Sequence, residues 1–476
     1  MVFSSLLFLF LFLPLCLLVN YIAKTNSSKN VVLLIFSLIF YAWTNPKYLI
    51  LLIAMVFVNW VCGIKIEKQM IPSNKKIWLI IDLVISLGLL GIFKYLGFAT
   101  EITHALFGIP NEVISIVLPI GISFYTFQLI SYTIDVYRED VEAEKSFFGL
   151  LLYAGLFFQC IAGPIVRYRD VAEEIHYREV RESEVSYGIS RFATGLAKKT
   201  LLANNCASLV ATLIPADVSG IESSSALGLW LGALFYMFQI YLDFSAYSDM
   251  AIGMGLMVGF HFKENFNYPY ICSSITDFWR RWHISLSSFF RDYVYIPLGG
   301  NRCGKARNIF NILVVWFLTG LWHGASVNFI LWGLYFFVFL MIEKLFLLKI
   351  FKRIPKIIGH IYSLIVVYFG WILFYFTDMD CLKAMLKGMF LANGNAFTSF
   401  ETGMVFLNNV FFFVICIIAV TPVVKALSYA LSKNFQNKVF INIKGIAEAV
   451  IPIALLVLST MALIGNSYNP FLYFQF

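Results

Sequence analysis

Long uninterrupted apolar stretches recur along this chain of 476 residues and limit its possible folds more than any other feature. A helix that crosses a bilayer needs about 20 apolar residues. The first stretch, residues 1–23, lacks a preceding basic residue and a small-residue cleavage site, so we expect it to remain as a span. Further candidate spans lie near residues 31–44, 48–64, 77–99, 147–166, 226–259, 309–347, 358–376, 403–422 and 446–466. We expect about ten to twelve crossings, several of them broken or paired, with 226–259 and 309–347 each forming a pair or a broken span.

The balance of charged and apolar residues excludes several classes of protein. Charged residues make up 13% of the chain and apolar residues 60%, whereas soluble domains carry about a quarter charged residues. The runs are too apolar for a disordered chain and too continuous for the alternating strands of a β-barrel. The sequence therefore predicts an all-α integral membrane protein. Without an internal repeat or a low-complexity linker, we expect one polytopic domain over residues 1–476.

Basic residues indicate how the chain is oriented. Lys24 and Lys29 follow the first span, and four lysines at 65–76 follow the third. The positive-inside rule places these loops in the cytoplasm and both termini outside. The net charge of +8 therefore reflects topology, and we do not expect nucleic-acid binding. Residues 167–200, which are rich in Arg, Lys and acidic residues, predict an amphipathic or solvated cytoplasmic helix.

Residues 113–136 conflict with a simple count of crossings. The stretch is long enough to span, yet acidic loops that suit the outside flank both of its ends. Pro119 and Gly121 lie inside it. A broken or re-entrant segment resolves the conflict, and such a segment needs protein or a water-filled cavity around it.

Residues 261–335 contain the most unusual mixture of polar and aromatic side chains. The first part is too polar to cross a bilayer alone, which is typical of a segment at the interface or folded back into the protein. Basic residues outnumber acidic ones here, at Lys263, Arg280, Arg281, Arg291, Arg302, Lys305 and Arg307. This excess is explained either by a cytoplasmic loop or by a docking surface for an acidic donor, such as a carrier protein or the phosphates of coenzyme A.

Two histidines in this region are candidates for chemistry. His323 lies in an otherwise apolar stretch, where an ionisable residue usually faces a cavity or a partner. A structural histidine with one hydrogen bond is the alternative. His283 lies in the polar segment and is less unusual. A histidine of near-neutral pKa can deprotonate a hydroxyl acceptor or become acylated itself. Neither histidine has metal-ligand spacing, and Ser285 and Ser326 lack the context of a hydrolase nucleophile.

Two acidic residues, Asp243 and Asp249, interrupt the apolar stretch 226–259. Asp243 either orients an imidazole or an arginine, or pairs with a neighbour to hold helices together. In a different class of function, both acids and His323 would bind a substrate in a transporter or export scaffold without chemistry.

Several motifs in this order resemble those of the membrane-bound O-acyltransferase (MBOAT) family, in its bacterial branch of alginate and peptidoglycan O-acetyltransferases and teichoic acid D-alanyl transferases. The motifs are Leu118-Pro-Ile-Gly-Ile-Ser-Phe-Tyr-Thr-Phe-Gln128, Ile161-Ala-Gly-Pro164, Phe266-Asn-Tyr-Pro-Tyr270, Asp277-Phe-Trp-Arg-Arg-Trp-His-Ile-Ser285, Tyr295-Ile-Pro-Leu-Gly-Gly-Asn-Arg302 and Thr319-Gly-Leu-Trp-His-Gly324. The resemblance covers nearly the whole chain.

The resemblance implies a ring of tilted helices around a central tunnel, with a cytoplasmic acyl donor and a histidine at the tunnel floor. His323 matches the signature histidine of the family, and His283 matches the second histidine of the bacterial branch. The residues expected to line the tunnel or support the donor are Asp243, Trp279, Arg280, Arg281, Trp282, Ser285, Trp322 and Asn328.

The resemblance also implies the reaction and its partners. We expect acetyl transfer from acetyl-CoA or an acylated carrier protein to hydroxyls of a cell-envelope polysaccharide, with no tightly bound cofactor or metal. D-alanyl transfer to teichoic acid is the alternative. The enzyme would lie in the bacterial cytoplasmic (inner) membrane, and a separate extracytoplasmic transferase of the serine-hydrolase type would complete the transfer.

The last ten residues, 467–476, resemble a C-terminal aromatic motif that O-acetyltransferases of this branch carry on the same chain, whereas D-alanylation systems place a similar motif on a separate small subunit. Its tyrosine, Tyr473, is a candidate acyl relay between the tunnel and an outer partner. The alternative is an ordinary aromatic residue at the membrane interface.

Overall fold

Helices form all of the regular structure in the part of the chain that the computed structural model describes, which is residues 1–43, 45–108, 116–161, 163–434, 438–465 and 471–472. The prediction of an all-α fold is confirmed. The described chain divides into two compact units: residues 1–192, 247–264 and 288–294 form unit 1, and residues 193–246, 265–287 and 295–476 form unit 2. A single membrane domain stays a prediction.

Unit 1 is built mainly from the first seven helices. They are α1 (Leu13–Ile22), α2 (Asn26–Ala42), α3 (Pro46–Lys68), α4 (Pro72–Phe107), α5 (Ile122–Tyr137), α6 (Phe147–Gly155) and α7 (Tyr168–His176). A π-helical turn, Phe8–Phe12, leads into α1. Three helices contribute residues to both units, namely α8 (Glu182–Ala197), α11 (Ala226–Met257) and α13 (Ile284–Phe290).

Unit 2 contains the remaining helices. They are α9 (Asn204–Leu213), α10 (Val218–Ser223), α12 (Ile275–Arg281), α14 (Lys305–His323), α15 (Val327–Ile342), α16 (Leu348–Phe351), α17 (Lys356–Tyr375), α18 (Met379–Met389), α19 (Phe400–Asn408), α20 (Val410–Ala419), α21 (Val423–Asn434) and α22 (Lys438–Gly465). Short π-helical segments at Lys198–Ala203, Arg291–Tyr295 and Glu343–Leu347 and a 3₁₀ turn at Pro269–Ile271 complete the described elements.

Five described helices, α3, α4, α11, α17 and α22, are long and apolar enough to cross a membrane, and the bent pair α19 and α20 makes a sixth if it acts as one span. This is fewer than the ten to twelve crossings expected from the sequence. Part of the difference arises because apolar stretches are divided among shorter helices. The first apolar runs, Phe8–Ile22 and Asn26–Ala42, are also shorter than a full span.

The structure agrees with two of three expected breaks in the apolar stretches. The stretch 309–347 is broken, as expected, because α14 ends at His323 and α15 begins at Val327. The stretch 226–259 is instead one continuous helix, α11, of 32 residues. Within 113–136, residues 113–115 lie outside the described residues, and α5 begins only after Gly121, whose φ of 76° is in the left-handed region. A break at Gly121 is therefore present.

Polar side chains tie the helices of unit 1 together. Asn59 of α3 donates to the hydroxyl of Ser86 on α4 over 3.2 Å, and Thr133 of α5 donates to the Asn59 carbonyl over 3.1 Å. All three residues are buried. Hydrogen bonds of this kind help to hold helices together where no hydrophobic force between them is available.

Glycines allow α14 and α15 of unit 2 to pack backbone against backbone. A Cβ atom added at Gly333 would overlap the backbone oxygen of Trp316, and one at Gly320 would overlap that of Phe329. Small residues at such contacts let helices approach closely. Because α14 ends at His323, this contact fixes the position of the candidate histidine relative to α15.

Substitution of Gly333 tests this packing. We expect Gly333→Ala to destabilise the protein by about 1–3 kcal/mol, because the added methyl group forces the two backbones apart. The measurement is thermal unfolding of the detergent-solubilised protein, followed by tryptophan fluorescence.

The matched control is Gly403→Ala on α19, where no atom lies within 4 Å of the added Cβ. This change should leave stability unchanged or raise it by about 0.5–1 kcal/mol, the usual gain of alanine over glycine in a helix. Equal transition temperatures for Gly333→Ala and the unchanged protein would contradict the close contact.

Candidate active site

His323 occupies the C-terminal end of α14 and is 6% exposed. The helix stops here because Gly324 has an extended backbone, with φ of −174°. Aromatic rings surround the imidazole edge to face, with ring centroids 5.0 Å away for Trp322, 4.9 Å for Trp332 and 5.2 Å for Phe374. The histidine therefore lies in the apolar setting that its sequence context predicts.

A small cavity lies next to His323. Its volume is about 20 Å³, which is room for about one water molecule. The lining residues are Ile240, Asp243, Phe244, Trp282, His323, Trp371, Phe374 and Leu472. The walls are thus mainly aromatic and aliphatic, with one carboxylate and one imidazole as the polar groups. Asp243 and His323 therefore face the same small space.

Asp243 of α11 is held by two partners. Its Oδ1 forms an ion pair of 2.6 Å with Lys199 Nζ, and its Oδ2 accepts a hydrogen bond of 2.6 Å from the backbone N–H of Leu472. Asp243 is 2% exposed and Lys199 is 3% exposed. Lys199 lies in the π-helical segment 198–203 that directly follows α8.

The position of Lys199 corrects one expectation. Residues 167–200 were predicted to form an amphipathic or solvated helix. They form α7, α8 and the beginning of the π-helical segment, and Lys199 at the end is buried rather than solvated. The reason is Asp243, since a buried acid needs a cation from elsewhere in the protein.

His283 is fully buried and has a strained backbone. Its φ of 44° lies in the left-handed region, which residues other than glycine rarely adopt and which is typical of functional or tightly restrained sites. The ring packs edge to face with Phe244 at 4.7 Å and with Trp322 at 5.7 Å. Because Trp322 also contacts His323, and Phe244 lines the cavity, the two histidines share neighbours.

Asn265 fixes the orientation of His283. The Asn265 Oδ1 atom accepts hydrogen bonds from the backbone N–H and the hydroxyl of Ser285, and His283 Nδ1 lies 3.2 Å from the same oxygen. Nδ1 therefore carries the proton and donates, which leaves Nε2 as the acceptor; this tautomer is assigned from the network. Burial lowers the pKa of His283 to about 3, so the ring is neutral at physiological pH.

Of the other predicted residues, one lines the cavity and others pack or hydrogen-bond behind its wall. Trp282 lines the cavity and packs against Trp371 with ring centroids 4.7 Å apart. Trp279 lies behind it, against Trp316 at 4.7 Å. Asn328 is fully buried and donates to the backbone oxygen of Phe374 over 3.2 Å.

The arginine pair lies apart from the cavity lining. Arg280 is exposed, and Arg281 pairs with Asp277 over 3.0 Å and also donates to the backbone oxygen of Asn267. Neither arginine lines the cavity. The proposed donor-docking role stays a prediction. Tyr473 lies outside the described residues, although its neighbour Leu472 is part of the cavity wall.

Sequence reasoning missed Lys199, Asn265, Trp371, Phe374 and Leu472. Lys199 had a detectable signal, because an acid at membrane depth such as Asp243 requires a basic partner. Asn265 precedes the recognised Phe266–Tyr270 motif directly and had no signal of its own. Trp371 and Phe374 have the spacing of one helix face, which core packing also produces.

Comparison with known proteins places these features in a family. The sequence model of the MBOAT, membrane-bound O-acyltransferase family, matches residues 144–386, which include both histidines and Asp243. The chain belongs to this family and is a membrane-bound acyltransferase.

Relatives of known name extend the similarity over the whole chain. A probable alginate O-acetylase AlgI of Azotobacter vinelandii is 37% identical over 506 aligned residues that cover all of both chains. A peptidoglycan O-acetyltransferase of Helicobacter pylori is 33% identical, over 83% of this chain and 80% of its own. A teichoic acid D-alanyltransferase of Bacillus subtilis is 32% identical, over 48% of this chain and 58% of its own.

The neutral His283 predicts how stability depends on pH. The unfolded chain binds a proton at this histidine below its ordinary pKa of 6.5, whereas the folded protein does so only near 3. This group therefore makes the folded state lose stability as pH falls below 6.5, and the loss continues down to the folded pKa. We expect His283→Gln to flatten the decline of the unfolding temperature between pH 6.5 and 4.5.

His261→Gln is the matched control, because the pKa of His261 is shifted in the opposite direction. Burial lowers the pKa of His261, but hydrogen bonds with Glu174 and Glu184 outweigh this and raise it overall. Its stabilisation is fully present below pH 6.5 and is lost as pH rises through the raised pKa, so this variant should alter the pH dependence only above 6.5 and leave the acid decline unchanged. A decline of unchanged slope in His283→Gln would contradict the neutral, buried ring.

Proposed function

We propose that this enzyme moves an acetyl group from a cytoplasmic thioester, acetyl-CoA or an acylated carrier protein, to hydroxyls of a cell-envelope polysaccharide. The observation that carries the proposal is His323 at the wall of a small, mainly aromatic cavity, on a chain that aligns over its whole length with a probable alginate O-acetylase.

The arrangement of the two histidines supports distinct roles. His323 faces the cavity, and as a base it would take the proton of the attacking hydroxyl and pass it to the departing thiolate. His283 presents an unprotonated Nε2 that has no hydrogen-bond partner among the described residues. A buried acceptor held by Asn265 suits an assisting role, in which it orients a donor group beside the reacting atoms. Asp243 would position the site.

Tyr473 is proposed to carry the acetyl group between the two sides. Its phenol oxygen would attack the thioester carbonyl; the carbon–sulfur bond breaks, the thiol leaves with the proton relayed by His323, and an acetyl ester forms on the tyrosine. The ester then passes to an outer acceptor, which regenerates the phenol. Leu472 in the cavity wall supports this role, because Tyr473 is the next residue in the sequence.

We further propose the setting in which this reaction occurs. The enzyme would lie in the bacterial cytoplasmic membrane with both termini outside, and an extracytoplasmic transferase of the serine-hydrolase type would deliver acetyl to the polymer. D-alanyl transfer is less well supported, since the D-alanyltransferase relative aligns with only 48% of the chain. A transporter without chemistry has no support from the family.

Replacement of His323 tests the proposed base. In vesicles with labelled acetyl donor, we expect His323→Ala to lower acetyl transfer by about 10²-fold or more. The variant should still fold and insert into the vesicles, which its unfolding temperature checks. His104→Ala, at an exposed position of α4, should retain normal transfer. Undiminished transfer by His323→Ala would overturn the catalytic assignment.

Replacement of Tyr473 tests the relay separately. Tyr473→Phe removes only the phenolic oxygen, so we expect acetyl transfer to be lost and the labelled acetyl ester to disappear from the C-terminal peptide in mass spectra. Tyr429→Phe changes an exposed tyrosine on α21 and should change neither result. Transfer by Tyr473→Phe at the normal rate would exclude the relay.

A further inference from the structure

The two described residues of the C-terminal segment, Phe471 and Leu472, contact a buried ion pair in unit 2. The backbone N–H of Leu472 donates to Asp243 Oδ2 over 2.6 Å, and Lys199 Nζ lies 4.6 Å from the centroid of the Phe471 ring. Lys199 and Asp243 are themselves 2.6 Å apart. Both members of the ion pair thus hold the same short segment.

The environment makes these contacts strong. Phe471 is 1% exposed, and the two charged side chains are almost completely buried. A hydrogen bond to an ionised group is roughly twice as strong as one between neutral groups, and a desolvated cation is attracted to an aromatic face more strongly than an exposed one. A buried ion pair is often no better for stability than apolar residues of the same size, so its presence here needs another explanation.

We propose that the Lys199–Asp243 pair is the anchor for the C-terminal aromatic segment, and that both are positioning residues for acyl transfer. The occupants of this anchor are Phe471 and Leu472 of this same chain. The backbone contact with Asp243 fixes Leu472, whose side chain forms part of the cavity wall beside His323.

The anchor explains why a charged pair is placed beside the cavity. Consecutive Cα atoms are about 3.8 Å apart, so a site that fixes Leu472 also limits how far the next side chain in the sequence can reach. The predicted effect on acyl transfer rests on the proposed function, because it depends on the relay by Tyr473. The anchoring of Leu472 itself is a separate statement that can be measured without any reaction.

The test replaces both charges together, in the variant Lys199→Met with Asp243→Leu. Removing one charge alone would leave the other buried and unpaired, which destabilises proteins strongly, whereas replacement of the pair by apolar residues is often neutral. We therefore expect an unfolding temperature close to that of the unchanged full-length protein. We also expect the Leu472 amide to exchange with deuterium at least about tenfold faster, because its acceptor is gone.

The matched control is Lys383→Met with Asp380→Leu, which removes an exposed ion pair on α18. It should leave Leu472 exchange and acetyl transfer unchanged. Residue-resolved mass spectrometry of the C-terminal peptide measures the exchange in both variants, and acetyl transfer from labelled acetyl-CoA in vesicles is measured in parallel.

The outcomes separate the anchor from its role in acyl transfer. Faster Leu472 exchange with at least about tenfold lower transfer supports both. Faster exchange with normal transfer supports the anchor and overturns the positioning role. Unchanged Leu472 exchange in the stable double variant overturns the anchor, whatever happens to transfer. Normal exchange and normal transfer together would show that the pair only holds helices.

Discussion

A polar group among apolar helices must find its partner inside the protein, because the hydrocarbon region offers no water. Asp243 satisfies this requirement with Lys199 and the Leu472 amide, and those contacts join α11, the segment after α8 and the C-terminal segment. The constraint also places His323, since an ionisable residue in this setting needs a cavity or a partner. The positions of both Asp243 and His323 in the candidate site of unit 2 therefore depend on this need for an internal partner or cavity.

The same constraint determines which parts of the fold can be predicted from the sequence. Apolar stretches predicted the all-α class, the resemblance of several motifs predicted the family, and the count of crossings predicted a paired or broken stretch at 309–347. The continuity of α11 could not be predicted, because the length of the stretch 226–259 suited a pair or a broken span in the count of crossings. The partners of Asp243 and Asp249 lie far away in the sequence, and only the folded chain brings them close.

The sequence named several residues that lie around the cavity but could not predict how they are arranged. His323 and Trp282 line the cavity as expected, and Arg280 does not. The positive φ of His283 and its contact with Asn265 depend on a tertiary network that no local pattern records. Lys199 belongs to the stretch 167–200, which was predicted as an amphipathic or solvated helix, and a basic residue in such a helix is normally exposed. Its burial therefore could not be predicted. The polar and charged partners that the sequence could not predict are those that lie far apart along the chain.

Separate labels on the two halves of the donor test the central claim, which is acyl transfer rather than transport, most directly. Sealed vesicles would hold acetyl-CoA on the cytoplasmic side, with one label in the acetyl group and another in the coenzyme A portion, and the polysaccharide and its transferase outside. The account predicts that the acetyl label appears on the outer polymer while coenzyme A remains inside. Passage of both labels across the membrane together would contradict it.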